Sequence, residues 1–226
     1  MSESVAIVVP ARNEEEVIEQ TLRSLPANIC CIVVNNGSTD NTAAIAKACG
    51  KIVIHENRPG YGRTVLAGIL HAKQLGKEIA VIYDADGADY PSNIKQLIDP
   101  ILADEADFCI GQRAKYAEVG ALTKSQKFGN KLSVQMIRLI TGYSFSDMGP
   151  LRAIKISCFQ QMDMQDPTYG WNIEMQIKAV RCGLRIKQFE FAYRQRQAGV
   201  SKISGDLYAS IKAGVKIIQT GLRYMR

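Results

Sequence analysis

The amino-acid sequence predicts an α/β protein with a mostly parallel central sheet that is covered by helices on both faces. Short apolar runs rich in valine and isoleucine alternate with helix-length amphipathic stretches through the first half of the chain. Strands separated by helices are typical of right-handed βαβ crossovers. The apolar runs are continuous, as in residues 30–34, which is typical of strands buried on both faces. The 226 residues, 46% of them hydrophobic, can bury a core without disulfides or a structural metal.

Each element follows from these patterns in chain order. Strands are predicted where short apolar runs occur, at 5–9, 29–34, 51–55, 79–83 and 107–111. Helices are predicted from apolar residues that recur every three or four positions, at 14–25, 39–48, 63–75 and 94–102. The second half predicts helices at 125–140 and 172–181, a strand at 184–191 and an amphipathic C-terminal helix at 206–225. No linker, low-complexity segment or repeat divides the chain, so we expect one domain over residues 1–226.

Composition excludes several classes of protein. The apolar runs are far shorter than the roughly 18 residues that a membrane span requires. The chain starts without a basic segment that leads into an apolar one, so no secretory signal is predicted. The six cysteines lack CxxC spacing and are interpreted as buried thiols of a cytoplasmic protein. A secreted protein, a zinc module and an integral membrane protein are therefore not expected.

The net charge of +6 is unevenly distributed. Residues 1–175 carry 17 Lys/Arg against 20 Asp/Glu, whereas residues 176–226 carry 11 against 2. This asymmetry indicates an anionic partner for the C-terminal quarter, such as a membrane surface or a phosphate, or else a solvated basic face. Nucleic acid is not expected, because few aromatic residues lie among the basic ones and no recognition motif is present.

Four successive predicted strands end in polar, glycine-bearing loops, at residues 10–14, 35–40, 57–62 and 84–87. Ligands of open α/β sheets bind beyond the carboxyl ends of the strands, so these loops predict a binding crevice. Asp84 and Asp86 point the same way if residue 84 continues the extended segment. Two close carboxylates repel each other and favour a cation, for which Mg²⁺ or Mn²⁺ is the expected choice. The alternative is a pair of turn or helix-capping aspartates before Pro91.

These motifs resemble those of family 2 glycosyltransferases with the GT-A fold. The resemblance begins with Pro10-Ala11-Arg12-Asn13-Glu14, Asn35-Asn36-Gly37-Ser38-Thr39-Asp40 and Asp84-Ala85-Asp86. Further motifs are most similar to the branch that makes polyprenyl- or dolichyl-phosphate sugars: Gly60-Tyr61-Gly62, Asp147-Met148-Gly149-Pro150-Leu151-Arg152-Ala153, Gly170-Trp171-Asn172-Ile173-Glu174, Tyr193-Arg194-x-Arg196 and Ser201-Lys202. The match runs in order from about residue 5 to 205.

The resemblance implies a nucleotide-sugar-binding half at about 1–112 and an acceptor-binding half at about 113–226. It implies that the nucleotide contacts Pro10, Ala11, Asn13, Glu14, Asn36, Gly60, Gly62, Asp84 and Ala85. It makes Asp86 the principal ligand of Mg²⁺ or Mn²⁺, with Asp84 beside it. Relatives usually carry Asp-Asp where this chain has Asn35-Asn36. An amide oxygen can still accept a hydrogen bond from a base, which leaves the choice of base open.

The implied reaction is an inverting sugar transfer from a nucleotide donor to a polyprenyl phosphate. Its catalytic residues would be Asp86, Glu174, Arg196 and Lys202, and its acceptor or phosphate contacts would be Arg113, Arg152 and Arg194. A phosphate acceptor is already ionised and needs cations, for which arginine is well suited. A sugar hydroxyl acceptor would instead need a general base, for which Glu174 is the candidate. Glu174 could also simply pair with Lys178, and a nucleotide-sugar-binding module without turnover is a third alternative.

The two amphipathic helices at 125–140 and 206–225 carry basic residues beside apolar stripes. Such helices either lie on an anionic membrane surface, near a lipid acceptor, or pack on the protein's own core. The helix at 125–140 is expected on the acceptor side. The helix at 206–225 is expected to pack on the core and to make peripheral contact with the cytoplasmic face of a membrane. A homo-oligomer or a membrane-anchored partner is a further alternative.

Overall fold

The computed structural model describes residues 3–196, 215 and 219–225. The described elements are β1 (Val5–Ala11), α1 (Ile18–Ser24), β2 (Cys30–Asn35), α2 (Thr42–Ala48), β3 (Ile52–His55), α3 (Tyr61–Gln74), β4 (Ile79–Ile82), α4 (Asn93–Leu102), β5 (Phe108–Ala117), α5 (Lys124–Thr141), β6 (Arg152–Lys155), α6 (Ile156–Gln161), α7 (Trp171–Arg181) and β7 (Ile186–Tyr193). Most of the C-terminal helix predicted at 206–225 lies outside the described residues. No helix in the described part is long and apolar enough to cross a membrane.

Seven strands form one sheet in the order β3-β2-β1-β4-β6-β5-β7. Strand β1 pairs in parallel with β2 on one side and β4 on the other, and β5 pairs in parallel with β7. Strand β6 runs antiparallel to both of its neighbours, β4 and β5. The predicted fold class, a mostly parallel α/β sheet, is confirmed.

Two hydrophobic clusters cover the two faces of the sheet. Alternate residues of β1 face opposite sides, so Ile7 packs with one cluster and Val8 with the other. Helices α1 and α4 contribute Leu22 and Leu97 to the first cluster, whereas α3 and α7 contribute residues such as Ile69 to the second. These layers place the carboxyl ends of β1, β2 and β4 side by side, which makes the crevice.

Several sequence-based predictions need correction. Strand β6 and helix α6 were not predicted, because four residues with Arg152 and Lys155 at the ends carry too little periodicity to identify a strand. The strand predicted at 107–111 continues to Ala117. The helix predicted at 14–25 begins only at Ile18. The cysteines are not all buried, since Cys182 is exposed.

Candidate active site

Cross-loop hydrogen bonds hold together the loops after β1 and β2. The Asn13 backbone N–H donates to Ser38 Oγ at 3.0 Å, and Asn13 Oδ1 accepts from the Thr39 backbone N–H at 2.8 Å. The Glu14 backbone N–H donates to Thr42 Oγ1 at 2.8 Å. Asn13 has φ of 51°, a left-handed conformation that asparagine tolerates better than most residues. The two loops therefore form one wall of the crevice.

Asn36 organises the loop that follows β3. Its side-chain nitrogen donates to Glu56 O at 2.7 Å and Arg58 O at 2.9 Å, and its oxygen accepts from the Gly60 N–H at 3.0 Å. A carboxylate has no hydrogen to donate to the two carbonyls, so the oxygens of an aspartate at this position would repel the carbonyl oxygens of Glu56 and Arg58. This gives a structural reason for an amide rather than a carboxylate at position 36.

Gly60 and Gly62 lie against the backbone of residues 166–168. A Cβ on Gly60 would lie 2.2 Å from Pro167 O, and one on Gly62 would lie 2.2 Å from Asp166 O. Gly60 also has φ of 148°, which L side chains rarely adopt. Close packing of two chain segments therefore accounts for both glycines without a ligand.

Asp84 and Asp86 follow β4, which ends at Ile82, and Asp86 lies in a turn rather than on the extended segment that was predicted. Burial, and next the neighbouring Asp86 carboxylate, raise the pKa of Asp84 to about 7, against the opposing effect of Arg113 and Arg196. Tyr61 Oη donates to Asp84 Oδ1 at 3.4 Å. Asp86 Oδ1 accepts from the Ala88 N–H at 3.1 Å. The pair is therefore a crowded anionic site that a cation would relieve.

The donor set fits a hard divalent cation held jointly with a phosphate ligand. Within the described ranges, no group of three or more His, Cys, Asp or Glu side chains is arranged to hold a metal ion. Mg²⁺ is commonly held by one or two carboxylates, with substrate phosphates and water as the remaining ligands. Asp84 and Asp86 supply that number of carboxylates.

Asp89 is a buried carboxyl close to Asp84 that was not predicted as a site residue. Asp89 is 2% exposed, and its Oδ2 has no hydrogen-bond partner among the described residues. Burial, and then the charge of Asp84, raise its pKa to about 8, so this carboxyl is protonated at neutral pH. Its position seven residues after Ile82, the end of β4, was the available signal, but burial cannot be read from spacing.

Arg196 links two segments that lie far apart along the chain. Its Nη2 lies 2.6 Å from Glu14 Oε1, so residue 196, just beyond β7, is bound to the loop after β1. Its charge also favours the ionised form of Asp84. The structure thus brings Glu14, Asp84 and Arg196 close together.

Arg113 and Arg194 place two further positive charges near the tip of β4. Arg113 Nε donates to Asp147 Oδ2 at 3.0 Å, and its charge favours ionised Asp84. Arg194 Nε donates to Gly87 O at 2.5 Å. The Arg194 guanidinium lies 4.7 Å from the centre of the Tyr90 ring, a cation–π contact. Three arginines therefore surround the tip of β4.

Arg152 was expected to contact the acceptor, but its geometry argues against direct contact. The residue is 0% exposed, and it donates to Gly149 O at 2.8 Å and Met148 O at 3.1 Å. Burial lowers its pKa to about 10. Strand β6 lies inside the sheet and directs this side chain into the protein, where it supports the 147–149 segment.

Glu174 lies in α7 with its carboxylate fully engaged. It accepts hydrogen bonds from the Gln165 N–H at 2.9 Å, the Asp166 N–H at 2.6 Å and Tyr224 Oη at 2.6 Å. Lys178 Nζ lies 3.0 Å away, which is the i+4 pairing that the sequence left open. At 0% exposure, this carboxylate is placed to hold the 165–168 loop rather than to meet an acceptor.

The remaining predicted residues are placed as follows. Pro10 and Ala11 end β1, and Ala85 is 3% exposed beside them at the tip of β4. The Ala85 carbonyl accepts from Thr21 Oγ1 at 3.0 Å, which ties the tip to α1. Lys202 lies outside the described residues.

A mostly parallel α/β sheet with two carboxylates at its carboxyl edge is typical of proteins that bind a ligand beyond the strand ends. The family model described as "Glycosyl transferase family 2" matches residues 6–162. The chain therefore belongs to glycosyl transferase family 2, and it is a glycosyltransferase.

Two relatives illustrate the family. An uncharacterized glycosyltransferase of Mycobacterium tuberculosis is 31% identical over 93% of this chain and 94% of its own length. A UDP-N-acetylglucosamine–dolichyl-phosphate N-acetylglucosaminyltransferase of Methanococcus voltae is 31% identical over 71% of this chain and 73% of its own length. The predicted similarity to the polyprenyl- and dolichyl-phosphate branch is thereby confirmed.

A solved structure confirms the GT-A fold. Glucosyl-3-phosphoglycerate synthase from Mycobacterium tuberculosis, in complex with Mn²⁺, UDP and glucosyl-3-phosphoglycerate, superposes with a TM-score of 0.75 at 21% sequence identity. The match covers 98% of this chain and 80% of that one. The same synthase has also been solved with Mg²⁺ and UDP.

Proposed function

We propose that this glycosyltransferase moves a sugar, with inversion, from a nucleotide diphosphate donor to a polyprenyl phosphate. The observation that carries the proposal is the convergence of Arg113, Arg194 and Arg196 on the Asp84–Asp86 tip. The candidate base of the alternative reaction, Glu174, is buried and engaged elsewhere.

On the donor side, Asp84 and Asp86 would hold Mg²⁺ or Mn²⁺ together with the diphosphate. The metal-bound state supplies positive charge that stabilises the negative charge developing on the leaving diphosphate. The joined loops after β1 and β2, tied through Asn13, would bind the nucleoside. Residues 1–112 form the donor half in this proposal, and residues 113–226 form the acceptor half.

On the acceptor side, the arginines take the place of a general base. A phosphate monoester is largely ionised at pH 7, so its attacking oxygen has no proton to lose. It must be held beside a second anion, and guanidinium groups match phosphate oxygens in pairs. Arg113 and Arg194 would orient the acceptor, while Arg196, now paired with Glu14, would lie between the two phosphate groups.

The dolichyl phosphate in the name of the Methanococcus voltae relative supports this acceptor class. The phosphoglycerate product in the solved structure keeps a second class open, in which a hydroxyl of a phosphorylated acid accepts the sugar. Both acceptors carry a phosphate that the arginines could bind, but a hydroxyl acceptor would also need a base, and Glu174 is engaged elsewhere. The test therefore varies the acceptor.

The test is transfer from a panel of radiolabelled UDP- and GDP-sugars by the full chain with Mn²⁺. Polyprenyl phosphate, the matching polyprenol and phosphoglyceric acid are supplied in separate reactions, followed by organic extraction. We expect label in the organic phase with polyprenyl phosphate alone. Transfer to phosphoglyceric acid or to polyprenol at a comparable rate would contradict the proposal, as would nucleotide binding without consumption of any donor.

A further inference from the structure

Helix α5 presents a cationic surface to solvent. Its 18 residues include three lysines and one arginine but no aspartate or glutamate. Seven exposed residues recur at spacings of one, three or four: Lys124, Lys127, Phe128, Lys131, Gln135, Arg138 and Leu139. At 3.6 residues per turn they fall within about one third of the helix circumference, and we call them the α5 face.

The opposite side of α5 is packed against the protein. Ser133, Met136 and Ile137 are buried, and Met136 and Ile137 belong to the second hydrophobic cluster. Asn130 Oδ1 accepts from the Met148 N–H at 2.7 Å. The helix is therefore fixed in rotation, and the α5 face is its outward side.

Two large apolar side chains on the α5 face distinguish it from an ordinary solvated helix. Phe128 is 71% exposed and Leu139 is 77% exposed. They are eleven positions apart, which corresponds to about 16 Å along the helix axis. Within the described part of the chain, none of the four cations on this face forms an ion pair. Cations interleaved with exposed Phe and Leu are typical of helices that lie in a membrane interface.

The α5 face begins next to the candidate active site. Residues 117–122, which lead into α5, pack through Leu122 against Ala88 and Tyr193. The Glu118 N–H donates to the Tyr193 carbonyl at 2.8 Å. Ala88 follows Asp86 by two residues, so a surface docked on α5 lies beside the arginine-rich edge. Val119, in the same segment, is 97% exposed.

We propose that the α5 face docks the protein on an anionic lipid bilayer, with Phe128 and Leu139 inserted among the headgroups. Charge complementarity favours this occupant, because four uncompensated cations match an anionic surface and would repel a second copy of the same face. Docking through the α5 face would bring a lipid-borne phosphate to the candidate active site, and in this respect the inference rests on the proposed function.

The experiment measures co-sedimentation of the full chain with vesicles of phosphatidylcholine alone or mixed with phosphatidylglycerol. We expect binding to the mixed vesicles only, weakened by added salt. Lys127→Glu with Lys131→Glu should reduce binding at least about 20-fold, since each basic residue near such a surface contributes about fivefold. Phe128→Ser with Leu139→Ser should also reduce binding.

The matched control is Leu70→Ser with Lys73→Glu, an exposed apolar and basic pair on α3. It should bind vesicles like the wild-type chain, and melting curves of all variants should show an intact fold. Equal binding of the wild type to both kinds of vesicle, no binding to either, or unchanged binding by the α5 variants would overturn the proposal.

A second assay separates this inference from the proposed function. Sugar transfer to a short, water-soluble polyprenyl phosphate without vesicles should be the same in the wild type and the α5 variants within about twofold. Transfer in this assay together with failed vesicle binding would reject the docking surface alone. If vesicle binding depends on the α5 face but no sugar is transferred to the short or the long polyprenyl phosphate, the acceptor assignment is rejected and the docking surface is supported.

Discussion

The substitution Glu174→Gln distinguishes a structural carboxylate from a catalytic base. Glutamine keeps the size of the side chain but replaces one acceptor oxygen with an NH₂ donor. Oε1 accepts from Gln165 N–H and Tyr224 Oη, and Oε2 accepts from Asp166 N–H. In either orientation of the amide, at least one buried backbone N–H faces a donor, and Lys178 loses its counter-charge.

The cost follows from these contacts. A buried donor left unpaired costs about 1–3 kcal/mol, and a hydrogen bond to a charged group contributes about 1.5–3 kcal/mol. Together they predict a loss of about 2.5–6 kcal/mol, a range that includes the roughly 3–5 kcal/mol of breaking one partner of a buried ion pair. For a chain of this size, about 2–4 °C of Tm is lost per kcal/mol, so Tm should fall by about 5–24 °C.

The assay combines thermal unfolding, followed by circular dichroism, with donor turnover at a temperature where both proteins are folded. The loosened 165–168 loop packs against Gly60 and Gly62, so KM for the donor should rise more than kcat falls. The matched control Glu190→Gln removes an exposed carboxylate paired with Lys115 and should leave Tm unchanged. An unchanged Tm for Glu174→Gln with a loss of kcat of about 10²–10⁴ would show that Glu174 is the base and refute the reasoning.

Three further predictions concern the metal carboxylates and the glycine contact. Asp86→Asn should lower kcat about 10²–10³-fold in Mn²⁺-supported donor turnover while Tm is preserved, and normal turnover would exclude Asp86 as the principal ligand. The native pKa of Asp84, about 7, exceeds the unfolded value of 3.8, so the native state holds an extra proton between about pH 4 and 7. The contribution of Asp84 to folding stability should therefore decrease as pH rises through that range. The affinity for Mn²⁺ should weaken by up to about tenfold per pH unit below 7. Calorimetry in two buffers should show proton release when Mn²⁺ binds. A pH-independent affinity would contradict this. Gly62→Ala should lower Tm by about 2–12 °C, because overpacking costs about 1–3 kcal/mol. The control Gly129→Ala, on α5 with open space around it, should not lower Tm. Equal melting curves for the two variants would refute the close contact at Gly62.

The sequence could predict the donor side of the site because its signals are local. Strands β1 to β4 are continuous apolar runs, and each is followed at once by its polar loop. Parallel pairing then brings those loops to one edge, so Asn13, Asp84 and Asp86 could be placed together from chain order alone.

The sequence could not predict which polar groups are buried, since their partners are distant along the chain. Glu174 meets Tyr224 across 50 residues, and Arg196 meets Glu14 across 182. Both Glu174 and Arg152 carry the residue types of a catalytic site. Only the positions of α7 and β6 turn them inward, where their hydrogen bonds support loops.

The order of residues thus determined the fold class, the crevice and the carboxylate pair, because periodicity and loop position are properties of neighbouring residues. The tertiary structure alone decided the antiparallel strand β6, the buried state of Asp89 and the close packing that requires Gly60 and Gly62. The physical reason is that burial and strand pairing depend on segments that meet only when the chain has folded.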